Sequence, residues 1–348
     1  MLRIRTQTVP QDPSRLTVKE PLRPTLKTIA FMTGLGVTTV SKALKDAPDI
    51  GKATKARVRL VAKQIGYRPN RAGVRLRTGK TSVIALVLST EESVMGLTSH
   101  LVHGISEVLS ETQYHLVLTP YSYSGDPMEP IRYITETAAA DGIIFSRTEP
   151  NDPRVRYLDE RDFPFATHGR TDMGIDHPWH DFDNWRFARE AAERLISLGR
   201  RRLSLLGPQS SLTFHRHLTG GFSEGIRHSS VVEVPLAGVN LDYSLDQLRA
   251  YIMQVMSGPE RPDGIICCAG GATFGLVAGI EAAGLEVGKD IDVVAKQSTN
   301  VLPWFRPQIQ VVNEDIRHAG RELAMAILKR IEGQDPKGLQ SLSAPVWG

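Results

Sequence analysis

The chain has 348 residues, 41% hydrophobic and 23% charged, with a net charge of +4. Its two cysteines, Cys267 and Cys268, are adjacent and cannot staple distant segments, so a disulfide-built scaffold is excluded and a reducing cytoplasm fits. The stretch from Ile265 to Ile280 lacks charge for 16 residues, short of the roughly 20 that span a bilayer, and reads as a buried strand, a turn and a helix start. The overall charge hides a division. Residues 1–80 hold 18 Lys and Arg against 4 acids, +14, and the remainder holds 24 against 34, −10. A strongly basic head on an acidic body is the electrostatic footprint of a nucleic-acid binder.

Taken in chain order, residues 1–23 are basic and proline-bearing, with no apolar run and no signal-peptide pattern. They are expected to be a disordered extension, or to reflect a start codon placed too early. From Thr25 the pattern changes. Leu26, Ile29 and Ala30 fall on one helical face. Gly34-Leu35-Gly36 breaks that helix and supplies a turn. Val37, Val40, Ala43 and Leu44 form a second pattern, and Val58, Val61, Ala62 and Ile65 a third that stops at Gly66, a C-cap residue. Two short helices joined by a glycine turn, then a third, describe a helix-turn-helix unit over 24–69. In such units the N-terminal end of the second helix meets base edges in the major groove.

Three pieces of this head lie in register: Thr25-Leu26-Lys27-Thr28-Ile29-Ala30, Thr38-Thr39-Val40-Ser41-Lys42-Ala43-Leu44, and Ile65-Gly66-Tyr67-Arg68-Pro69-Asn70. They resemble the head of the lactose-repressor (LacI/GalR) family. The resemblance implies DNA contacts from Thr25, Val37, Thr38, Thr39, Ser41 and Lys42, with Val37, Thr38 and Lys42 reading bases. Gly36 and Gly51 stand where the family favours a Ser N-cap, and Thr28 where Asp is frequent. Glycine at an N-cap costs only a few tenths of a kcal/mol against Ser, so the fold is expected to survive.

Residues 70–81 are basic and follow Pro69, and alone they read as a linker. The resemblance implies a hinge that becomes helical on specific DNA, with Asn70, Arg71 and Gly73 at the DNA and Leu76 wedged into the minor groove. Apolar wedges of this kind unstack a base step and bend the duplex. Gly73 stands where Ala is usual, and glycine weakens a helix by about 1 kcal/mol.

The body, 82–348, alternates short apolar runs with helical stretches. Strands are predicted at Ser82–Leu88, His115–Leu118, Gly142–Phe145, Phe165–Thr167, Leu203–Leu206, Gly264–Cys267 and Asp292–Val294. Such alternation predicts a doubly wound α/β fold, whose ligands bind beyond the carboxyl ends of parallel strands. Gly270-Gly271-Ala272-Thr273-Phe274-Gly275 is no phosphate loop, because the Walker lysine is missing. His168-Gly169-Arg170, Asp183-Asn184 and Leu198-Gly199-Arg200-Arg201-Arg202 resemble successive landmarks of the same family's body. The resemblance then covers 24 to about 345 and implies a two-lobed, periplasmic-binding-protein-like body that binds an effector and dimerises. One lobe would be 82–183 plus 313–333, the other 184–312 plus the C-terminal strand.

The pocket departs from the family most. Leu218 stands where many members carry Arg, Gln297 where many carry Asp, and Gly270 where another Asp is usual. The candidate effector contacts are therefore His168, Arg170, Trp179, Asp183, Phe214, Arg216 and Gln297. Arg and His would pair with anionic or hydroxyl groups, and Trp and Phe would cover an apolar sugar face. His168, His177, His180, His215 and His217 with Asp181 and Asp183 match no standard zinc spacing, so neither a metal nor another cofactor is expected. The reading is a cytoplasmic, homodimeric, sequence-specific DNA-binding regulator, more often a repressor in this family. It would bind a pseudo-palindromic double-stranded operator under control of a sugar-like effector, with no membrane partner. No tetramerising C-terminal helix is expected. The open alternatives are an effector-independent DNA-binding regulator and a solute-binding protein. No nucleophile elbow or cofactor loop suggests an enzyme.

Overall fold

The computed structural model describes residues 24–67, 75, 79–89, 97–122 and 125–348. They form two compact units, one ending at Gly79 and the other running from Lys80 to Gly348. The expected extension and the hinge positions Asn70, Arg71, Gly73 and Leu76 lie outside the described residues.

Among the described residues the head has the helices α1 (Leu26–Thr33), α2 (Val37–Leu44) and α3 (Lys52–Gln64). Thr25 caps α1 through a reciprocal box. Its hydroxyl accepts from the Thr28 amide, and the Thr28 hydroxyl accepts from the Thr25 amide. Two orphan helix donors are thereby satisfied. Thr28 thus does at this end what a longer acidic side chain would do. Gly34 turns the chain at φ +69°, and the Leu35 amide returns to the Ala30 carbonyl. Gly66 ends α3 in the same way, with Tyr67 donating to Ala62. Gly36 and Gly51 are the N-caps of α2 and α3 and offer no side-chain bond. Ile29, Ala30, Val40, Ala43, Val58 and Ala62 make the core, with Leu26, Leu44, Val61 and Ile65 packed around it.

The body has two sheets. The first lobe begins with β1 (Val83–Ser89), α4 (Leu97–Ser110), β2 (His115–Tyr121), α5 (Met128–Glu136), β3 (Gly142–Phe145), α6 (Pro153–Asp159), β4 (Phe165–His168) and β5 (Trp179–Phe182). The second lobe runs through α7 (Asn184–Ser197), β6 (Arg202–Leu206), α8 (Thr213–Ile226), β7 (Val232–Glu233), α9 (Leu245–Met256), β8 (Gly264–Cys267), α10 (Gly270–Ala282), β9 (Asp292–Gln297), α11 (Leu302–Phe305) and β10 (Gln310–Asn313). The chain then returns to the first lobe with α12 (Ile316–Ile331) and β11 (Gln340–Ser343), and ends in the second with β12 (Val346–Trp347). The strand orders are β11-β5-β4-β3-β1-β2, all parallel, and β12-β10-β9-β8-β6-β7, parallel except for β12.

All seven predicted strands are present, and β3, β8 and β9 are buried along their length, as helix-covered parallel strands must be. One expectation needs correction. The first lobe does not end at 333, although the C-terminal strand does join the second lobe. β11 first pairs with β5, Gln340 opposite Trp179, and only then does the chain cross to β12. The lobes are thus joined by three crossings, around 183, 314 and 344. Asp183 donates its amide to the Ser343 carbonyl, and Glu314 donates to the Gln297 carbonyl.

Glycines let helices meet backbone to backbone. A Cβ on Gly104 of α4 would fall on the Arg317 carbonyl of α12, and one on Gly320 would fall on the Leu101 carbonyl. In an open helix, Gly→Ala stabilises by about 1 kcal/mol. Here the close approach reverses the sign: Gly104→Ala is expected to destabilise the protein by about 2 kcal/mol, the range of an overpacked core. Thermal unfolding would measure it, and a raised midpoint would disprove the contact.

Candidate DNA-reading surface and interlobe cleft

On α2, Val37 and Thr38 are exposed, and Thr39 and Ser41 are half-buried. Val37 is 41% exposed although its pattern-mates Val40 and Ala43 are wholly buried, so the helix presents an apolar side chain to its surroundings. The Lys42 ammonium lies 2.6 Å from the Asp49 carboxylate, both about half exposed. That ammonium holds Asp49 below the usual carboxylate range. An exposed pair of this sort exchanges readily for another anion. Asp46 is likewise held by Lys55 and Arg59. These are the two acids of residues 24–67, which carry eight Lys and Arg, so the head keeps a positive surplus after both are matched. Thr25 faces outward at the start of α1, where its hydroxyl is engaged with Thr28.

In the body, a cavity of about 610 Å³ opens between the lobes. Its walls come from the carboxyl ends of parallel strands: Ser146, Arg147 and Thr148 after β3, His168 and Gly169 at β4, Cys268 to Ala272 after β8, and Lys296 to Thr299 at β9. Phe214 on α8 and Tyr243 ahead of α9 add aromatic surface.

The charged groups of this wall are matched to one another. The Arg147 guanidinium donates twice to the Asp242 carboxylate, at 3.0 and 2.9 Å. The Lys296 ammonium is 2.7 Å from Glu314 and 3.0 Å from the Asn184 side-chain oxygen, with the Phe182 ring 4.9 Å away. Lys296 thus ties β9 to two of the crossings. Burial pushes Glu314 toward its neutral form, but Lys296, His168 and His180 outweigh it and hold the carboxyl below its ordinary value. Asp181 accepts from the Arg170 Nε at 2.8 Å. His168 lies 3.8 Å from Glu314 and stacks on His180, which meets His318 edge-on. Burial, with His168 and His318 adding to it, lowers His180 to about 3. Its ring bonds to the Ser341 and Ser343 hydroxyls.

Three of the seven candidate effector residues, His168, Phe214 and Gln297, come together on the cavity wall. The other four do not line it. Asp183 caps α7, accepting from the Arg186 amide. Arg170 turns to Asp181, with Trp179 beside its guanidinium at 5.4 Å. Arg216 points out to Asp172. The reason is helical phase: Phe214, Leu218, Gly221 and Phe222 face inward on α8, which leaves 216 on the outer side. Leu218, at the family's Arg position, is wholly buried in the second lobe's core. Gln297 meets the cavity, but its amide bonds run to Leu302, Asn313 and Asn300. Of the five histidines noted in the sequence, His168 and His180 stack on each other. His177 is hydrogen-bonded behind the first sheet to Thr167 and Ile175, His217 lies 4.0 Å from Asp181, and His318 joins His168 and His180 from α12. Among the described residues no group of three His, Cys, Asp or Glu side chains is placed to hold a metal.

Arg147, Lys296, Tyr243, Asp242 and Glu314 were not among the candidates. The first two follow from the rule that ligands sit past the strand ends, applied to the predicted strands at Gly142–Phe145 and Asp292–Val294. Asp242 lies in a loop that no pattern marks.

A three-helix head and a two-lobed α/β body closing on a cleft define a helix-turn-helix protein with a periplasmic-binding-protein-like body. Comparison with known proteins agrees. Residues 25–70 match the model for bacterial regulatory proteins of the lacI family, and residues 192–347 match a periplasmic binding protein-like domain. The HTH-type transcriptional regulator AglR of Rhizobium meliloti (strain 1021) is 32% identical over 329 residues, 89% of this chain and 88% of that protein. The structure of a transcriptional regulator CelR–cellobiose complex superposes with a TM-score of 0.68 at 24% identity, covering 94% of this chain and 98% of the other. The lac repressor dimer bound to operator and the anti-inducer ONPF superposes with a TM-score of 0.80 at 19% identity, covering 93% and 97%. The chain belongs to the lacI family of bacterial regulatory proteins and is a DNA-binding transcriptional regulator. No described helix is long and apolar enough to cross a membrane.

Proposed function

We propose that the protein binds a pseudo-palindromic operator as a homodimer, chiefly to repress, and that a neutral sugar in the interlobe cavity changes its operator affinity. Val37, Thr38 and Lys42 read the half-site, Thr25, Thr39 and Ser41 hold the backbone, and Asn70, Arg71, Gly73 and Leu76 engage the minor groove. The lac repressor dimer on its operator supports this arrangement by fold. The observation that carries the effector class is the charge pairing of the cavity wall. Arg147 is matched by Asp242, Lys296 by Glu314 and Asp181 by Arg170, so among the described residues the wall offers hydrogen-bonding groups without a surplus cation for a phosphate or carboxylate. Phe214 and Tyr243 supply flat apolar surface for a sugar ring. The volume suits a ligand of more than one ring, and CelR, a relative in fold, was solved with cellobiose.

The test is operator binding, with the site selected from randomised duplex DNA, in the presence of mono-, di- and trisaccharides, sugar phosphates, sugar acids and purines. A neutral di- or oligosaccharide is expected to change operator affinity at least about fivefold, the lower end of allosteric coupling. At 100 times its dissociation constant it should stabilise the body by about 2.7 kcal/mol. Response to a sugar phosphate instead would overturn the effector class. Tight operator binding indifferent to the whole panel would favour the effector-independent regulator.

A further inference from the structure

The ion pair of Arg147 and Asp242 belongs to neither lobe alone. Arg147 follows β3 in the first lobe, and Asp242 precedes α9 in the second. Their side chains are only 16% and 14% exposed, so water screens the pair less than it screens surface charges. Arg147 is set from behind. Its backbone stands at φ +56°, a region costly for any residue but glycine. The buried Arg154 donates to its carbonyl at 2.9 Å and is itself fixed by the fully buried Asp152. Backbone strain of this sort persists where the surroundings over-determine it. On the other side, the Asp242 amide donates to the Asn240 side chain. A backbone bond crosses the same gap: the Thr213 amide, at the first turn of α8, donates to the Thr148 carbonyl at 2.9 Å.

We propose that Arg147 and Asp242 form a clasp that holds the lobes closed without effector and so sets how much effector the protein needs. Affinity falls in proportion to the fraction of molecules in the binding-competent form. A bidentate pair across the cleft raises that fraction before any ligand arrives. The statement about effector demand rests on the cavity being the effector site; the statement about the lobes does not.

Hydrogen–deuterium exchange of the ligand-free full chain tests the clasp. The Thr213 amide is free to exchange only when the lobes part. Asp242→Asn and Arg147→Gln are each expected to speed exchange there about tenfold, between the effects of exposed and fully buried pairs. Exchange in β1 and β9 should stay as it is, and the double variant should add little to either single one. Cellobiose, used as the probe, is expected to bind each variant about tenfold more weakly than the parent. Unchanged exchange at Thr213 in both variants overturns the clasp. Faster exchange with no cellobiose binding by any form supports the clasp and removes cellobiose as the effector. If Arg147→Gln loses protection throughout, Asp242→Asn, which keeps the shape but leaves only one acceptor for the guanidinium, decides.

Discussion

Removal of residues 1–80 is expected to abolish specific DNA binding while leaving a folded body. The cut falls where the two units divide. It spares the start of the first lobe, where the Asp141 carboxylate accepts from the Thr81 amide and hydroxyl and from the Ser82 amide. It removes a segment of net charge +14 and leaves one of −10, which duplex DNA repels. Specific affinity should fall by at least about 10³, the smallest usual gap between specific and non-specific binding. Fluorescence anisotropy with the selected operator would read this, and thermal unfolding would confirm the body. Retained operator binding, or an aggregated body, would count against the division of labour.

Lys296→Met is expected to damage the body severely. It leaves Glu314, only 11% exposed, without its cation, and breaking such a pair from one side costs about 3–5 kcal/mol. For a protein of this size the unfolding midpoint should drop by roughly 10 °C. Replacing both partners, Lys296→Met with Glu314→Leu, should recover most of the loss, because apolar pairs often substitute well for buried ions. The pH dependence has a definite sign. In the parent, Glu314 is held below its ordinary 4.5, so its contribution is present above that value and is lost as pH falls through the folded one. In the single variant the largest of the lowering causes is gone while burial remains, so the carboxyl titrates higher than in the parent and acid relieves it. The gap between parent and variant should therefore be widest near neutrality and narrow below about pH 4.5. His180, lowered from 6.5 to about 3, takes stability from both proteins as pH falls between those values. A single variant that loses no more than about 1 kcal/mol, the worth of an exposed pair, would show that Lys296 does not sustain Glu314.

The apolar runs of β1, β3, β8 and β9 announce themselves because buried parallel strands must be hydrophobic on both faces. β5 stayed hidden for the opposite reason. Trp179-His180-Asp181-Phe182 reads as polar, yet His180 and Asp181 are buried because Ser341, Ser343 and Arg170 satisfy them. Those partners lie elsewhere in the sequence, and no window along the chain reveals them. The same limit applies to the cleft. His168, Phe214 and Gln297 could be picked by type and position, but Arg216 required the phase of α8, and Asp183 was a helix cap. His180 gathers His318 from 138 residues away, while His177, three residues from it, bonds instead to Thr167 and Ile175. In the head, where contacts are local, period and glycine placement were enough.

The weaving of the two lobes bears on the order in which the protein comes into being. The head closes over residues 25–67, with its contacts near in sequence, and such units fold fast. Neither lobe is finished so early. α12 meets α4 through Arg317 and Glu107, 210 residues apart, and β11 reaches β5 through Ser341 and His180, 161 apart. Loops of that length close late, and during synthesis the chain emerges from its N-terminal end. A nascent molecule therefore carries a folded, positively charged head long before the body that follows it is complete, so the effector control proposed above would be acquired only by the completed chain.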